Sequence, residues 1–370
     1  MKYFLIAGEA SGDLHGKNLM KQLMEVDKEA TFQFWGGDQM ASIGGEPLKH
    51  IDSLAFMGFV EVIANLGTIL KNIKLCKSQI KAAKPDALIL IDYPGFNLRI
   101  AEFAKQLNIP VHYYVSPQIW AWKQNRVHKI KKVVDEMYTI LPFEKAFYKK
   151  FDYDVQYVGH PLVDAIQEFK KEALSKKDFL NQFELSGQPI LALLPGSRVQ
   201  EIKTKLPIML KAAAQFKDYQ IVIAGAPNKS IAFYQKYLNG LSVKIIENST
   251  YNLLNNSSLA MVTSGTATLE TALFKVPQVV CYKASYLSYH IAKRLVKVPY
   301  ISLVNLIMNK EVVKELIQGD LTSKKIVKEL RRLEADSADL QMEYDKLEKV
   351  LGGGGASQKV AKMIFNRLKA

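Results

Sequence analysis

Short apolar runs, richer in β-branched residues than the rest of the chain, alternate from one end to the other with longer amphipathic stretches. This alternation predicts parallel α/β architecture. Strands are expected near residues 2–7, 32–35, 87–91, 110–115, 137–141 and 155–158, with helical patterns between most of them. A second series is expected near 190–194, 220–224, 243–246, 259–263, 278–282 and 300–304. Two doubly wound domains follow, 1–167 and 189–351. Residues 168–188, rich in Lys, Glu, Ser and Gln, carry a helix-like stretch from Lys176 to Phe183 but no strand pattern, and read as the linker. Beyond Asn305 only helical patterns occur, broken by Gly352 to Gly355, a run that no helix carries through its interior without large entropic loss. The last helix, from about Ala356, is therefore expected to pivot and dock elsewhere.

Composition narrows the class. With 370 residues, 48% of them hydrophobic, the chain can bury two ordinary cores, which excludes a disordered or fibrous polymer. Two cysteines, Cys76 and Cys281, are too few for a disulfide framework or a cysteine-built metal site, and fit a reducing compartment. The apolar opening from Tyr3 to Ala7 halts at Gly8 and Glu9, too short for a signal-peptide core, and no run of about 18 uncharged apolar residues exists to span a bilayer. The net charge of +14 points to an acidic partner, whether nucleotide, nucleic acid or membrane surface. Most of it lies in the second half: residues 1–165 carry 20 Lys+Arg against 18 Asp+Glu, and 166–370 carry 30 against 18.

Ligands of doubly wound folds sit beyond the carboxyl ends of the strands, so the loops there hold the candidate chemistry. Ala7 to Asp13 is a glycine-bearing turn before a helix expected near Leu14; Gly8 and Gly12 allow close approach of a ligand, while Ser11 or Asp13 could equally serve as a cap. Asp92 ends a buried strand before Tyr93-Pro94-Gly95, where a partly dry setting would raise its pKa enough to accept a proton from a hydroxyl. Leu194-Pro195-Gly196-Ser197-Arg198, with Glu201 as a helix starts, combines free N–H groups, a helix dipole and a guanidinium into a diphosphate site; the alternative is an Arg198–Glu201 structural pair. Thr263 to Glu270 repeats the pattern of strand, small-residue turn and helix, and Glu270 is placed to accept the hydroxyls of a ribose. Asn305 is expected at the end of the last strand. Trp120 and Trp122 read as packing anchors.

Together with Ser116-Pro117, Trp120-Ala121-Trp122, Met57-Gly58, Val60-Glu61-Val62, Leu141 to Tyr148, Leu193 to Arg198, Ser264 to Ala267 and Ala292 to Lys297, these loops resemble the lipid-A-disaccharide synthases across essentially the whole chain. The resemblance implies a GT-B fold, in which two Rossmann-like domains face a central cleft and the C-terminal helix, here from about 352 to 370, crosses back to the first domain. It implies an inverting glycosyltransferase that needs no metal or other cofactor. The donor would be UDP-2,3-diacylglucosamine and the acceptor 2,3-diacylglucosamine 1-phosphate, joined through its 6-hydroxyl into a β-1,6-linked disaccharide phosphate at the cytoplasmic face of the inner membrane. Carried over by position, Asp92 is the candidate base, Glu9, Ser11 and Gly12 form the acceptor-side loop, and Arg198, Glu201, Ser264, Gly265, Thr266, Glu270 and Asn305 lie on the nucleotide side. Departures from the family pattern fall at 224–228 and 159–161, and bear on acyl-chain preference rather than core chemistry.

The resemblance gives meaning to a further patch. Phe56, Met57, Phe59, Val60 and Ile63 are densely apolar, and the following helix bears Lys71, Lys74, Lys77, Lys81 and Lys84 with no acid between. An apolar segment leading into a one-sided basic helix suits contact with inner-membrane lipids and their acyl chains. Competing readings are another UDP-sugar enzyme of the same fold, such as a UDP-N-acetylglucosamine epimerase or a different lipid glycosyltransferase, and a basic nucleic-acid module. The last is disfavoured because the positive charge is not gathered with stacking aromatics. Asp152 and Asp154 mimic a metal-binding pair in a charged turn, the six histidines show no ligand spacing, and His15 or His160 is a rival base to Asp92. A homodimer through the final helix is one arrangement the sequence allows.

Overall fold

A computed structural model describes residues 1–54, 65–226, 229–285, 289, 294 and 298–369. The chain divides into two compact units, Met1–Pro161 joined by the residues from Gly354 on, and Leu162–Gly353.

The first unit is built on a seven-stranded sheet of β1 (Lys2–Ala7), β2 (Thr31–Gly36), β3 (Glu46–His50), β4 (Ala87–Ile91), β5 (Val111–Tyr114), β6 (Glu136–Thr139) and β7 (Gln156–Tyr157). Their order is β3-β2-β1-β4-β5-β6-β7, with every pairing parallel. β1 and β4 pair at the centre, Leu5 opposite Ile89 and Ala7 opposite Ile91. Every residue of β4 is buried. The reversal of strand order there puts the loops after β1 and β4 side by side, at the position where doubly wound sheets collect ligands. The helix Ala356–Lys369 packs on the helix Ala10–Val26, burying Val360, Ala361 and Ile364, and Ser357 Oγ lies 3.4 Å from the Tyr114 hydroxyl.

The second unit carries a six-stranded parallel sheet of β8 (Ile190–Leu194), β9 (Gln220–Gly225), β10 (Val243–Glu247), β11 (Leu259–Thr263), β12 (Gln278–Tyr282) and β13 (Lys314–Ile317). The order is β10-β9-β8-β11-β12-β13, so β8 and β11 are the central neighbours, Leu194 opposite Val262.

Several expectations are corrected. The segment 168–188 is no free linker: the helices Pro161–Glu172 and Lys176–Gln182 occupy it, Phe169 packs on Tyr251 and Phe274, and Phe179 is fully buried, so apolar contacts assign it to the second unit. The helix after β1 begins at Ala10 rather than near Leu14, which places Ser11, Gly12 and Asp13 in its first turn. No strand spans 300–304. Ser302 instead caps the helix Leu303–Met308, its Oγ accepting from the Asn305 N–H, and the N–H groups of Ile301 and Ser302 go to the Glu315 carboxylate rather than to a neighbouring strand. The last strand is β13, within a stretch that had shown only a helical pattern. Among the described residues no helix is long and apolar enough to cross a membrane.

Candidate active site

In the first unit the chain leaves β4 through two consecutive residues in the left-handed region, Asp92 at φ 44° and Tyr93 at φ 48°, before Pro94 starts a helix. Side chains without glycine's freedom hold this conformation only under constraint, typically at about 1–3 kcal/mol each. The constraint is visible. The Asp92 carbonyl accepts from Asn97 Nδ2 at 2.7 Å and from the Tyr113 hydroxyl, and its N–H donates to the Tyr114 carbonyl at 3.1 Å. The turn thereby fixes the Asp92 carboxyl against Glu9, which follows β1.

Burial, then the charge of Glu9 and a hydrogen bond with it, push the Asp92 carboxyl up to about 7. A buried carboxyl beside a second negative charge holds its proton more tightly, so Asp92 is tuned to exchange one near neutrality. Ser11 Oγ donates to Glu9 Oε1 at 3.3 Å, which draws Ser11 into the same cluster. Gly8 lies under the Tyr93 ring, where a Cβ would fall 2.3 Å from Cγ. Gly12 packs its helix on β1, a Cβ there meeting that of Ala7 at 3.3 Å. Neither Ser11 nor Asp13 caps its own helix. Asp13 is buried and accepts the N–H groups of Gly37, Gln39 and Met40 at 2.7, 3.0 and 3.1 Å, anchoring the start of the neighbouring helix Asp38–Ala41.

The rival bases are poorly suited. Burial lowers His15 to about 4 and His160 to about 3, the latter further depressed by His15, so both are neutral at pH 7 but weak proton acceptors. Asp152 pairs with Lys131 at 3.2 Å.

In the second unit the loops after β8 and β11 lie beside each other. Gly196 adopts φ 113°, and Arg198 stands exposed at the N-cap of the helix Val199–Ala213. Glu201 folds back over this loop, its Oε2 lying 2.3 Å from where a Gly196 Cβ would stand. Glu201 is thus occupied by the loop and by Lys205, whose Nζ lies 4.0 Å from Oε2. Lys205 is 2% exposed and also donates to Thr263 Oγ1 at the end of β11, so one ammonium ties the two loops together. Burial lowers its pKa while Glu201 and Cys281 oppose the shift.

Across β11, Gly265 at φ 131° is the N-cap of the helix Thr266–Leu273, and Ser264 Oγ donates to the Ile301 carbonyl at 2.9 Å. Thr266 is exposed in the first turn. Glu270 is half-buried against Tyr251, whose hydroxyl donates to Oε1 at 3.2 Å, and burial raises its pKa. Asn305, expected on the nucleotide side, is fully buried. Its oxygen accepts from Val312 and Val313 N–H at 2.8 and 2.9 Å, and its amide nitrogen donates to the Val313 carbonyl and to Glu315, both at 2.9 Å, so the whole side chain staples one turn. Phe56, Met57, Phe59, Val60 and Ile63 lie outside the described residues. Lys71 and Lys74 are exposed on the helix Leu66–Ala83.

Sequence reasoning missed Lys205 and Glu315. The signal for Lys205 was a lysine within the apolar stripe of Ile202, Leu206 and Met209; Glu315 offered none.

A sequence profile described as lipid-A-disaccharide synthetase matches residues 3–366. The chain belongs to that family. Lipid-A-disaccharide synthases of Geobacter metallireducens and Coxiella burnetii are 37% and 38% identical to it, covering 99% and 98% of this chain and 97% of each relative. That of Psychromonas ingrahamii is 42% identical over 89% of this chain and 88% of its own. Among solved structures, a UDP-GlcNAc 2-epimerase from Neisseria meningitidis bound to UDP-GlcNAc superposes with TM-score 0.69 at 14% identity, covering 99% of this chain and all of that one. A structure titled the glycotransferase of kitacinnamycin gives 0.68 at 13%, covering 99% of each chain. These likenesses and the two parallel-sheet units identify the fold as GT-B. In this synthetase-family chain, the carboxylate cluster and the glycine loops occupy corresponding strand ends of two similar sheets.

Proposed function

We propose that the chain transfers 2,3-diacylglucosamine from UDP to the 6-hydroxyl of 2,3-diacylglucosamine 1-phosphate, with inversion at the anomeric carbon and without a metal. Asp92 takes the hydroxyl proton as the oxygen attacks C1. The bond from C1 to the diphosphate oxygen breaks, and UDP leaves with the electron pair, stabilised by Arg198 and the N–H groups of the Gly196 and Gly265 loops. Glu270 fits the ribose. The observation that carries the reading is the Asp92 carboxyl, held at a strained strand end beside Glu9 and poised at about 7.

The test follows UDP release and disaccharide mass in detergent, with EDTA present. Disaccharide is expected despite EDTA. Asp92→Asn is expected to lower turnover by about 10²–10⁴-fold with UDP affinity retained, the range removed with a general base. Arg198→Ala is expected to weaken UDP and lower turnover together. UDP binding without disaccharide would move the function to another UDP-sugar enzyme of this fold.

The same reading puts the protein on the inner face of the inner membrane. Its support is the helix Leu66–Ala83, whose exposed side carries Leu66, Leu70 and Leu75 at 49%, 53% and 40% exposure among Lys71, Lys74 and Lys81. Leucines left in water between lysines suit an anionic lipid surface. Sedimentation with phosphatidylglycerol vesicles should fall on raising salt and on replacing Leu66 and Leu70 by Ser; unchanged sedimentation of that variant would refute this contact.

A further inference from the structure

Two motifs of the first unit take no part in the chemistry above, Ser116 to Trp122 and Leu141 to Glu144. In the structure they interlock. Trp120 Nε1 donates to Glu144 Oε1 at 3.2 Å, and Glu144 Oε2 accepts from the N–H groups of Ile140 and Leu141 at 3.2 and 2.9 Å. Ser116 Oγ lies 2.8 Å from the Tyr148 hydroxyl, and Gln124 Nε2 donates to the Trp120 carbonyl at 3.1 Å. Trp120 and Glu144 are 7% and 1% exposed. The loop after β5 is therefore pinned from within, and the expectation that both tryptophans are anchors holds only for Trp120.

What the pinned loop presents outward is Trp122, 42% exposed, with two cations against its ring: Lys123 Nζ at 4.2 Å and the Arg126 guanidinium carbon at 5.9 Å from the centroid. Neighbouring Lys129 and Lys131 pair with Glu102 and Asp152. Among the described residues no carboxylate forms an ion pair with Lys123 or Arg126. Two positive charges gathered at one indole repel each other, and an anion between them removes that repulsion while gaining charge-assisted hydrogen bonds.

Position identifies the anion. β5 runs beside β4, the Tyr113 hydroxyl donates to the Asp92 carbonyl, the Asp92 N–H donates to the Tyr114 carbonyl, and the loop that bears Lys123 and Arg126 leaves the same end of β5. The cationic loop and the Asp92 turn are thus one connected piece of structure. We propose that Lys123 and Arg126, seated on Trp122, bind the 1-phosphate of the acceptor sugar and so bring its 6-hydroxyl to Asp92. This rests on the function proposed above. Arg126 supplies the planar fork that suits a phosphate, Lys123 a second point charge, and the indole an apolar wall for the sugar ring.

The experiment compares 2,3-diacylglucosamine 1-phosphate with its dephosphorylated counterpart as acceptors for the full-length protein in detergent. The wild type is expected to favour the phosphorylated acceptor. Lys123→Ala with Arg126→Ala should raise the KM for that acceptor at least 10-fold, abolish the preference and leave UDP affinity unchanged, while Arg126→Lys restores part of the preference. The exposed single variant Lys123→Ala should reduce the preference in the same direction, which keeps the question open to test if the double variant misfolds. An active double variant, or an active Lys123→Ala in that event, with the wild-type preference intact overturns this inference alone. A wild type inactive with both acceptors overturns the proposed function and this inference with it.

Discussion

Asp92 is the residue whose environment decides most. Its base function needs the ionised form, so product formation at subsaturating acceptor should rise with pH along a limb centred near 7. Glu9→Gln removes the neighbouring charge, the second cause of the upward shift, and should move that limb to lower pH; a pH–rate series on the two proteins checks it. The same shift predicts a stability effect of opposite benefit. Because folding raises the carboxyl above its ordinary 3.8, the folded state retains a proton that the unfolded chain has released, and stability falls as pH rises from about 4 through about 7. Asp92→Asn should therefore melt higher than the wild type at pH 8, by roughly 2–4 °C for each ~1 kcal/mol relieved, with the gap closing at pH 4. A carboxylate at a strand end was legible in the sequence, but the partner that tunes it comes from a different strand. Asn305 shows the converse: the amide was legible, and only packing reveals that all its hydrogen bonds are used at home.

At the scale of elements, the two glycine loops depend on what leans on them. Gly8→Ala would drive a methyl into the Tyr93 ring, displacing the turn that carries Asp92 at about 1–3 kcal/mol, and should lower turnover while UDP affinity, measured by calorimetry, stays unchanged. Lys205→Met should cut the tie between the loops after β8 and β11, weakening UDP binding and lowering stability by about 1–3 kcal/mol in thermal melts, because the buried Thr263 hydroxyl loses its partner and Glu201 its cation. Central strands were readable because each is an uninterrupted apolar run, as β4 and β8 are. Of the edge strands, β7 and β10 fell on expected runs, but β3 and β13 did not. β3 reads Glu-Pro-Leu-Lys-His, three of its five residues polar and one a proline, and β13 mixes Lys and Glu with Leu and Ile, because one side of each lacks a partner strand. The stretch 300–304 misled in the other direction: of its apolar residues only Val304 is fully buried, and the run forms a cap and the first turn of a helix, so an apolar run alone does not specify a strand.

At the scale of the whole molecule, the boundary lies at Pro161 and Leu162 rather than after 167, and the first unit is discontinuous in sequence. Its final helix packs on the helix Ala10–Val26; Val360 and Ile364 of the former and Leu19, Met20 and Leu23 of the latter are all fully buried. Ile364→Ala should cost about 2–5 kcal/mol in the first unit and spare the melting of the second, a separation that calorimetry with and without UDP can resolve. Discontinuity also imposes a timetable. During synthesis, the residues that finish the first unit emerge only after the whole of the second has been made, roughly 10–40 s later at about 5–20 residues per second. The nascent amino-terminal half spends that interval with an apolar helix face bare, so its last step of maturation belongs to the end of translation rather than to the beginning.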